Sequence, residues 1–589
     1  FETHLELDFE GNVRAVIDPL GRRVVTYDYD MLGNPTSQVS MDAGRRWMLS
    51  NVVGKPIRSW DDRNHQIRTV YDELQRSTHL FVQDGVEPEV LAEQSEYGEG
   101  QTAAADSNLR GKLYRLYDGA GVVTNRAYDF KGNLLNSARQ LVRNYKATPD
   151  WSQSPQLEAD VFVSSTTYDA LNRPVTLTTP DNSVSRPAYN EAGLLERIDI
   201  NLRGASSATA FVTNVNYDAK GQRELIEYRV IDANGVFAVV RTKYDYDPLT
   251  FKLRNLNTIR TTDNVVLQDL SYTYDPVGNI AALRDDAQQT VYFRNQRVEP
   301  NAEYKYDALY RLIRATGREH LGQTAGSLNS PSQPDHNDSL RIPHRGDGNA
   351  MGNYIEEYLY DAAGNFLQMV HTAQWVGGGR WIRRYAYDES SLIEAGRKNN
   401  RLSSTSLPGD GPDGPLSAQY EYDEHGNVTR MPHVFAMEWD FKDQLRAANL
   451  GGGGTAYYVY DAAGQRVRKV IEAQNTTTKK EERLYLGGYE IFRQYDGGTS
   501  LERETLHIMD GTRRIALVET KTIDEDAPPF TPTPLTRYQL DNHLGSAIVE
   551  LDAAGEIISY EEYFPFGGTS YQAVRNGVEV SPKRYRYTG

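Results

Sequence analysis

Tyr274-Asp275-Pro276-Val277-Gly278-Asn279 is a phrase that returns along the whole chain with only its middle residues changed. It stands again at Tyr29-Asp30…Gly33-Asn34, Tyr128-Asp129…Gly132-Asn133, Tyr217-Asp218…Gly221-Gln222, Tyr360-Asp361…Gly364-Asn365, Tyr422-Asp423…Gly426-Asn427 and Tyr460-Asp461…Gly464-Gln465. Each part has a physical job in a hairpin. Tyr closes a strand, and Asp accepts a hydrogen bond from a turn N–H. Two unrestrictive residues follow, and Gly takes the positive φ that leads into the next strand. One phrase encodes one reversal of direction, so the expected fold is all-β, a long strip of antiparallel hairpins.

Composition agrees with a thin sheet. Apolar residues make up 39% of the 589 and the mean hydropathy is -0.63, below the roughly 45–50% apolar content of ordinary globular chains, counted on a slightly different residue set. Tyr outnumbers Phe 39 to 16, which suits strands whose faces meet water, the ring covering a neighbour while the hydroxyl stays hydrogen-bonded. The net charge of -17 argues against nucleic acid as a partner, since phosphate binding wants a basic footprint. With no cysteine, disulfides, thiolate zinc sites and cysteine nucleophiles are excluded. No apolar run approaches the roughly 18 residues that span a bilayer, so no direct membrane insertion is expected.

Between the phrases lie short alternating runs such as Arg23-Val24-Val25-Thr26-Tyr27, which leave no room for helices. Repeats resume at Tyr117-Asp118 after a loose acidic stretch near 83–109, where a short helix is expected at Pro88–Gln94. Asn144–Gln156 is a polar insertion, and further polar insertions lie near 320–353 and 520–534. Strand style does not change across these breaks, so residues 1–589 are expected to form one repeat architecture with no firm internal boundary. The spacing of the phrases is too irregular for a propeller or a regular solenoid. A strip that coils on itself fits better, because closure removes exposed sheet edges, and such a strip encloses space. Gln75 and Tyr310 stand where Gly is wanted, which implies either another turn type or a strained backbone.

Chemical motifs are sparse. There is no H-E-x-x-H, and His336 and His344 share a polar loop with Asp335, Asp338 and Asp347 without metal-ligand spacing. His543 has no nucleophile motif beside it and reads as a turn residue. Gly451–Gly454 lacks the Lys of a phosphate loop and reads as a flexible turn. Arg345-Gly346-Asp347 is three common residues meeting in a polar loop. The repeated Asp residues have turn-capping work that accounts for them. No catalytic, cofactor-binding or metal-binding residue and no cofactor is assigned.

Longer phrases carry a resemblance. V-S-M-D-A-G-R (Val39–Arg45), V-L-Q-D-L-S-Y-T-Y-D-P-V-G-N (Val266–Asn279), R-N-Q-R-V-E-P (Arg294–Pro300), A-T-G-R-E (Ala315–Glu319), L-G-S (Leu544–Ser546) and S-Y-E-E-Y-F-P-F-G-G-T (Ser559–Thr569) resemble RHS/YD-repeat proteins. Within that family they are most similar to the C component, or fused B–C chain, of bacterial insecticidal toxin complexes. The resemblance implies a hollow, cocoon-like shell of spiralling hairpins around a cytotoxic effector, which is the C-terminal region of the same polypeptide. It also implies a B-type shell and propeller component and a pore-forming A component as partners, a secreted location, and a non-enzymatic wall. The propeller would lie before Phe1; the self-cleaving aspartyl protease segment and the toxin would lie after Gly589. A further expectation is that the inner wall carries much of the negative charge and holds a basic cargo by long-range attraction.

Two other function classes stay open on the residues. One is a cell-surface adhesion or carbohydrate-recognition YD-repeat protein, with Trp375 and Trp381 as stacking residues. The other is a glycoside hydrolase, which needs two carboxyl groups roughly 5–10 Å apart in a cleft.

Overall fold

The structure, a computed structural model, describes residues 1–231, 235–321, 348–375, 379–526, 531–575 and 583–587. Among these, strands alternate with tight turns, and the only helical pieces are 3-10 turns of three residues such as Gly98–Gly100 and Trp151–Gln153. The chain divides into two compact units. One comprises Phe1–Asn172, Tyr360–Leu367 and Arg384–Glu502; the other comprises Arg173–Leu359, Gln368–Arg383 and Arg503–Gly589.

In the first unit, successive strands from His4–Leu7 to Leu157–Tyr168 each pair antiparallel with the next, a meander of thirteen strands. A second meander runs from Ala436–Trp439 to Tyr489–Asp496. Leu141 and Ala120 of the first pack with Val459, Leu484, Tyr489 and Ile491 of the second. The residues expected as a helix at Pro88–Gln94 instead enter strand Val90–Tyr97, which pairs with Ser77–Asp84 and Leu113–Asp118. Leu91 and Ala92 are buried there, and two flanking strands outweigh a marginal local helix preference. The polar insertion Asn144–Gln156 folds back as a plug. Trp151 is buried beside Leu91 and Val122, its ring 5.1 Å from that of Tyr117.

The second unit repeats the plan with a thicker core. One meander runs from Pro174–Thr178 to Met351–Tyr360 and bypasses only the small hairpin Val291–Phe293/Gln296–Val298. Another runs from Arg513–Asp524 to Thr569–Val574. Phe211, Ile226, Val240, Leu256 and Leu270 from the first meet Ile515, Val518, Leu540, Val549 and Leu551 from the second. Strand Phe237–Tyr246 alternates exposed and buried residues, as a strand with one dry face must. Water on both faces is therefore not general. Tyr228, Tyr272, Tyr354 and Tyr538 are at most 5% exposed, so these rings are core, because two sheets close on them.

Candidate functional site

The repeated turns recur in both units of the described residues. At Tyr274–Asn279 the backbone closes twice, Gly278 N–H donating to the Asp275 carbonyl at 3.1 Å and Asp275 N–H to the Asn279 carbonyl at 2.9 Å. The Asp275 carboxylate fills the loop. Its Oδ1 accepts from the N–H groups of Val277, Gly278 and Asn279 at 3.1, 2.7 and 2.8 Å, and its Oδ2 from Asn279 Nδ2 at 2.9 Å. Desolvation pushes this carboxyl up, but the bonds from Asn279 and Gly278 outweigh it and hold the group below the usual carboxylate range. Gly278 sits at φ +106°, a conformation that costs a residue with a Cβ about 1–2 kcal/mol.

Tyr274 does more than close its strand. Its hydroxyl donates at 2.7 Å to the carbonyl of Leu253, the first residue after the preceding turn on the same edge of the sheet. Tyr29 reaches Val13 in the same way, Tyr128 reaches Leu113, Tyr217 reaches Leu195, Tyr422 reaches Leu402 and Tyr460 reaches Leu445, all at 2.7–3.0 Å. Tyr360 packs its ring on Phe366 at 4.7 Å. Each of the six tyrosines with a hydroxyl bond thus staples its own turn to the neighbouring turn. Removing one hydroxyl, as in Tyr274→Phe, is expected to cost about 1 kcal/mol, read as a fall in chemical-denaturation stability without loss of fold.

Asp30, Asp129, Asp361 and Asp423 all bind the side chain of the Asn four residues on. Asp218 and Asp461 bind the backbone N–H of Gln222 and Gln465 instead. Gly33, Gly132, Gly221, Gly364, Gly426 and Gly464 lie between φ +78° and +101°. Beside Tyr29, Tyr128, Tyr217, Tyr274, Tyr422 and Tyr460 the pairing slips by one residue. At Tyr274, which pairs with Ile280 while Thr273 pairs with Ala282, Ala281 is the extra residue on the exit strand. Such a bulge bends the strand and raises its twist, so each of these phrases curls its own hairpin.

The departures are informative. Gln75 and Tyr310 keep the same turn and take φ +61° and +62°, so the backbone is strained, not rearranged. In both turns Arg replaces Asn, and Arg76 and Arg311 pair with Asp72 and Asp307 at 2.7 Å. Trp439-Asp440…Asp443-Gln444 is a phrase that the spacing rule misses, since Tyr and Gly are both replaced. Its indole Nε1 donates to the Val428 carbonyl at 2.8 Å, doing the work of the tyrosine hydroxyl. Tyr117-Asp118 is the reverse case. Asp118 is fully buried, caps a tighter loop at Ala120 and Gly121, and binds Arg139 at 2.8 Å.

Other chemistry is accounted for by structure. Asp285 and Glu562 both touch the Tyr560 hydroxyl, at 3.4 and 2.8 Å, beside a cavity of about 440 Å³ in the second unit. Burial pushes Asp285 up to about 6. Its Oδ1 accepts from the N–H groups of Asp269 and Ala287, however, and Glu562 is ion-paired with Arg318 through both oxygens. Neither is a free acid or base. His543 lies in the Asn542–Ser546 turn with the Tyr272 ring 4.9 Å away, and burial pushes it down to about 4. Gly451–Gly453 forms a 3-10 turn. No cluster of metal-ligating side chains occurs among the described residues. His336, His344, Asp335, Asp338 and the Arg345-Gly346-Asp347 tripeptide lie outside them. Trp375 and Trp381 offer no open stacking platform, because both are half-buried. The first lies over the backbone of Gly352 and the second stacks on His371 at 5.0 Å.

Comparison with known proteins agrees with this geometry. The RHS repeat family matches residues 10–46, a stretch that holds the Tyr29–Asn34 phrase. Over the whole chain, the structure superposes on the crystal structure of TcdB2-TccC3 with a TM-score of 0.84 and 28% identity. The chain carries an RHS repeat. It resembles the C component of insecticidal toxin complexes, being 28% identical to toxin subunit YenC2 and 29% identical to YenC1 of Yersinia entomophaga, over 100% and 93% of its length. This RHS chain spans 61% and 55% of those two relatives and 28% of the TcdB2-TccC3 chain.

Proposed function

We propose that this RHS chain is a length of wall in a secreted containment shell that shields a cytotoxic polypeptide within a bacterial toxin complex. The likeness to TcdB2-TccC3 across every part of the chain carries the reading. The stapled turns support it, because a wall must hold its shape with little core behind it, and short turns tied in a row do that. The work is enclosure, and the chain spans about six-tenths of the two YenC relatives. A B-type component is the partner at the open turns of the first unit. Phe9, Met31, Leu32, Val52, Val53 and Leu74 occupy four alternate turns there and are 58–98% exposed, an apolar ridge of the kind that marks a docking edge.

The test is protection. The natural full-length polypeptide, assembled with its B component, is treated with a broad protease, and the effector is followed on a gel. Containment requires that the effector survive until the shell is heated past its melting temperature, whereas the same effector expressed alone is degraded within minutes. Equal rates of loss would reject the reading. If the shell holds a basic cargo by charge, high salt will speed exchange of the released effector without opening the shell.

A further inference from the structure

Within the second unit, three side chains from successive strands meet away from the turns. Glu319 is the last residue but one of strand Leu312–His320, Glu356 lies on Met351–Tyr360 and His371 on Phe366–Ala373. His371 Nε2 faces Glu319 Oε1 and His371 Nδ1 faces Glu356 Oε1, both at 3.2 Å. All three are at most 4% exposed. The imidazole stacks against Tyr354 at 5.4 Å and Trp381 at 5.0 Å, and Phe564 meets it edge-on at 5.8 Å. With a carboxylate at each nitrogen, the ring is best served by donating from both, which only the imidazolium can do. The aromatic faces favour the cation as well.

We propose that Glu319, His371 and Glu356 form an alkali-sensitive clasp, which fastens these strands while the imidazole is charged and loosens when it gives its proton to solvent. Arg318, the neighbour of Glu319, is turned onto Glu562, and His320 stacks on Tyr571. Tyr358 donates its hydroxyl to Glu356 Oε2 and adds no charge. Burial holds Tyr354 protonated well past the usual tyrosine range. Among the described residues, His371 is the one cation paired with either glutamate. Glu319 Oε2 is buried with no hydrogen-bond partner, so an uncharged imidazole would strand two carboxyl groups in a dry site.

The direction follows from linkage. Burial pushes His371 down, but its bonds to Glu319 and Glu356 outweigh burial and raise it to about 9. The folded state therefore binds this proton more tightly than the unfolded chain does. The stabilisation is complete below about pH 6.5 and is lost as pH rises through about 9. Burial raises Glu319 too, and its loss of a proton acts in the same direction. The clasp stands whether or not the chain encloses a cargo.

The test uses the full chain with histidine labelled in the ring, the His371 signal being assigned by its absence in His371→Gln. The expected ring titration midpoint lies near pH 9 in the wild type, and the melting-temperature gap between wild type and His371→Gln is wide at pH 7 and closes by pH 10. Glu319→Gln, which keeps the shape of the site, is expected to lower the midpoint by about one unit. It also serves if His371→Gln does not fold, the signal then being assigned by its shift. A midpoint at or below 7, a gap constant with pH, or no shift in Glu319→Gln would each overturn the proposal.

Discussion

Arg468→Met will destabilise the first unit by about 3–5 kcal/mol, the loss expected when one partner of a buried ion pair is removed and the other is left behind. Arg468 is 1% exposed. Its Nε donates to Glu482 Oε1 at 2.8 Å, its Nη2 to Glu158 Oε1 at 2.7 Å and its Nη1 to the Val142 carbonyl at 3.0 Å. The Tyr145 ring lies 5.0 Å from the guanidinium. The fork joins three pieces of chain, so the loss is not confined to one strand pair. Glu482, 2% exposed, is left with only Lys479 at 3.0 Å and Arg493 at 3.7 Å to balance it. Burial pushes it up, but Arg468, Lys479 and the Tyr495 hydroxyl hold it down to about 2. That depressed value contributes stability above about pH 4.3 which disappears as pH falls through about 2, and the acid limb should flatten in the variant. Chemical denaturation at pH 7 measures the loss. Adding Glu482→Gln should restore part of it, because the buried charge with its shortest-range partner gone, and not the missing contact, is the larger cost. If the single and double variants are equally unstable, packing around Arg468 is what matters.

The turns were legible because everything that builds them lies within six residues. Asp275 finds its donors at positions 277 to 279, so residue type at fixed spacing is sufficient, and a chain of such turns can only be a hairpin strip. The spacing also explains the two misreadings. Tyr117-Asp118 has Gly121 at the usual spacing but Val122 where Asn or Gln stands, and makes a different loop, while Trp439-Asp440 makes the usual turn with neither marker residue. What escaped the sequence is what depends on distant partners. The carbonyl that Tyr274 binds lies 21 residues back, and Glu158 lies 310 residues from Arg468. His371 and its two glutamates carry no spacing signature, since each sits on its own strand. The dry face was hidden for a related reason. In strand Phe237–Tyr246, Val239 and Val240 are adjacent and equally apolar, yet only Val240 is buried, and the choice is made by the sheet that closes over it.

Phe211→Ala will cost the second unit about 3–5 kcal/mol, the range for emptying a fully buried aromatic site. Phe211 is 1% exposed on strand Thr209–Tyr217, and its ring lies 6.0 Å from that of Tyr538, which in turn meets Tyr228 edge-on at 5.9 Å. These rings come from both meanders of the unit, so the cavity would open between two sheets, where neither can collapse without dragging its ladder of hydrogen bonds. Phe211→Leu refills most of the volume and should cost less than about 1.5 kcal/mol. The comparison with Tyr274→Phe decides how the sheet is held. A staple is worth about 1 kcal/mol and is repeated along the strip, whereas the two-sheet core is local and each of its side chains counts for several times more. Urea denaturation of the three variants at one pH separates the two. Should Phe211→Ala cost no more than Tyr274→Phe, the core is slack, and the row of turns alone keeps the second unit in shape.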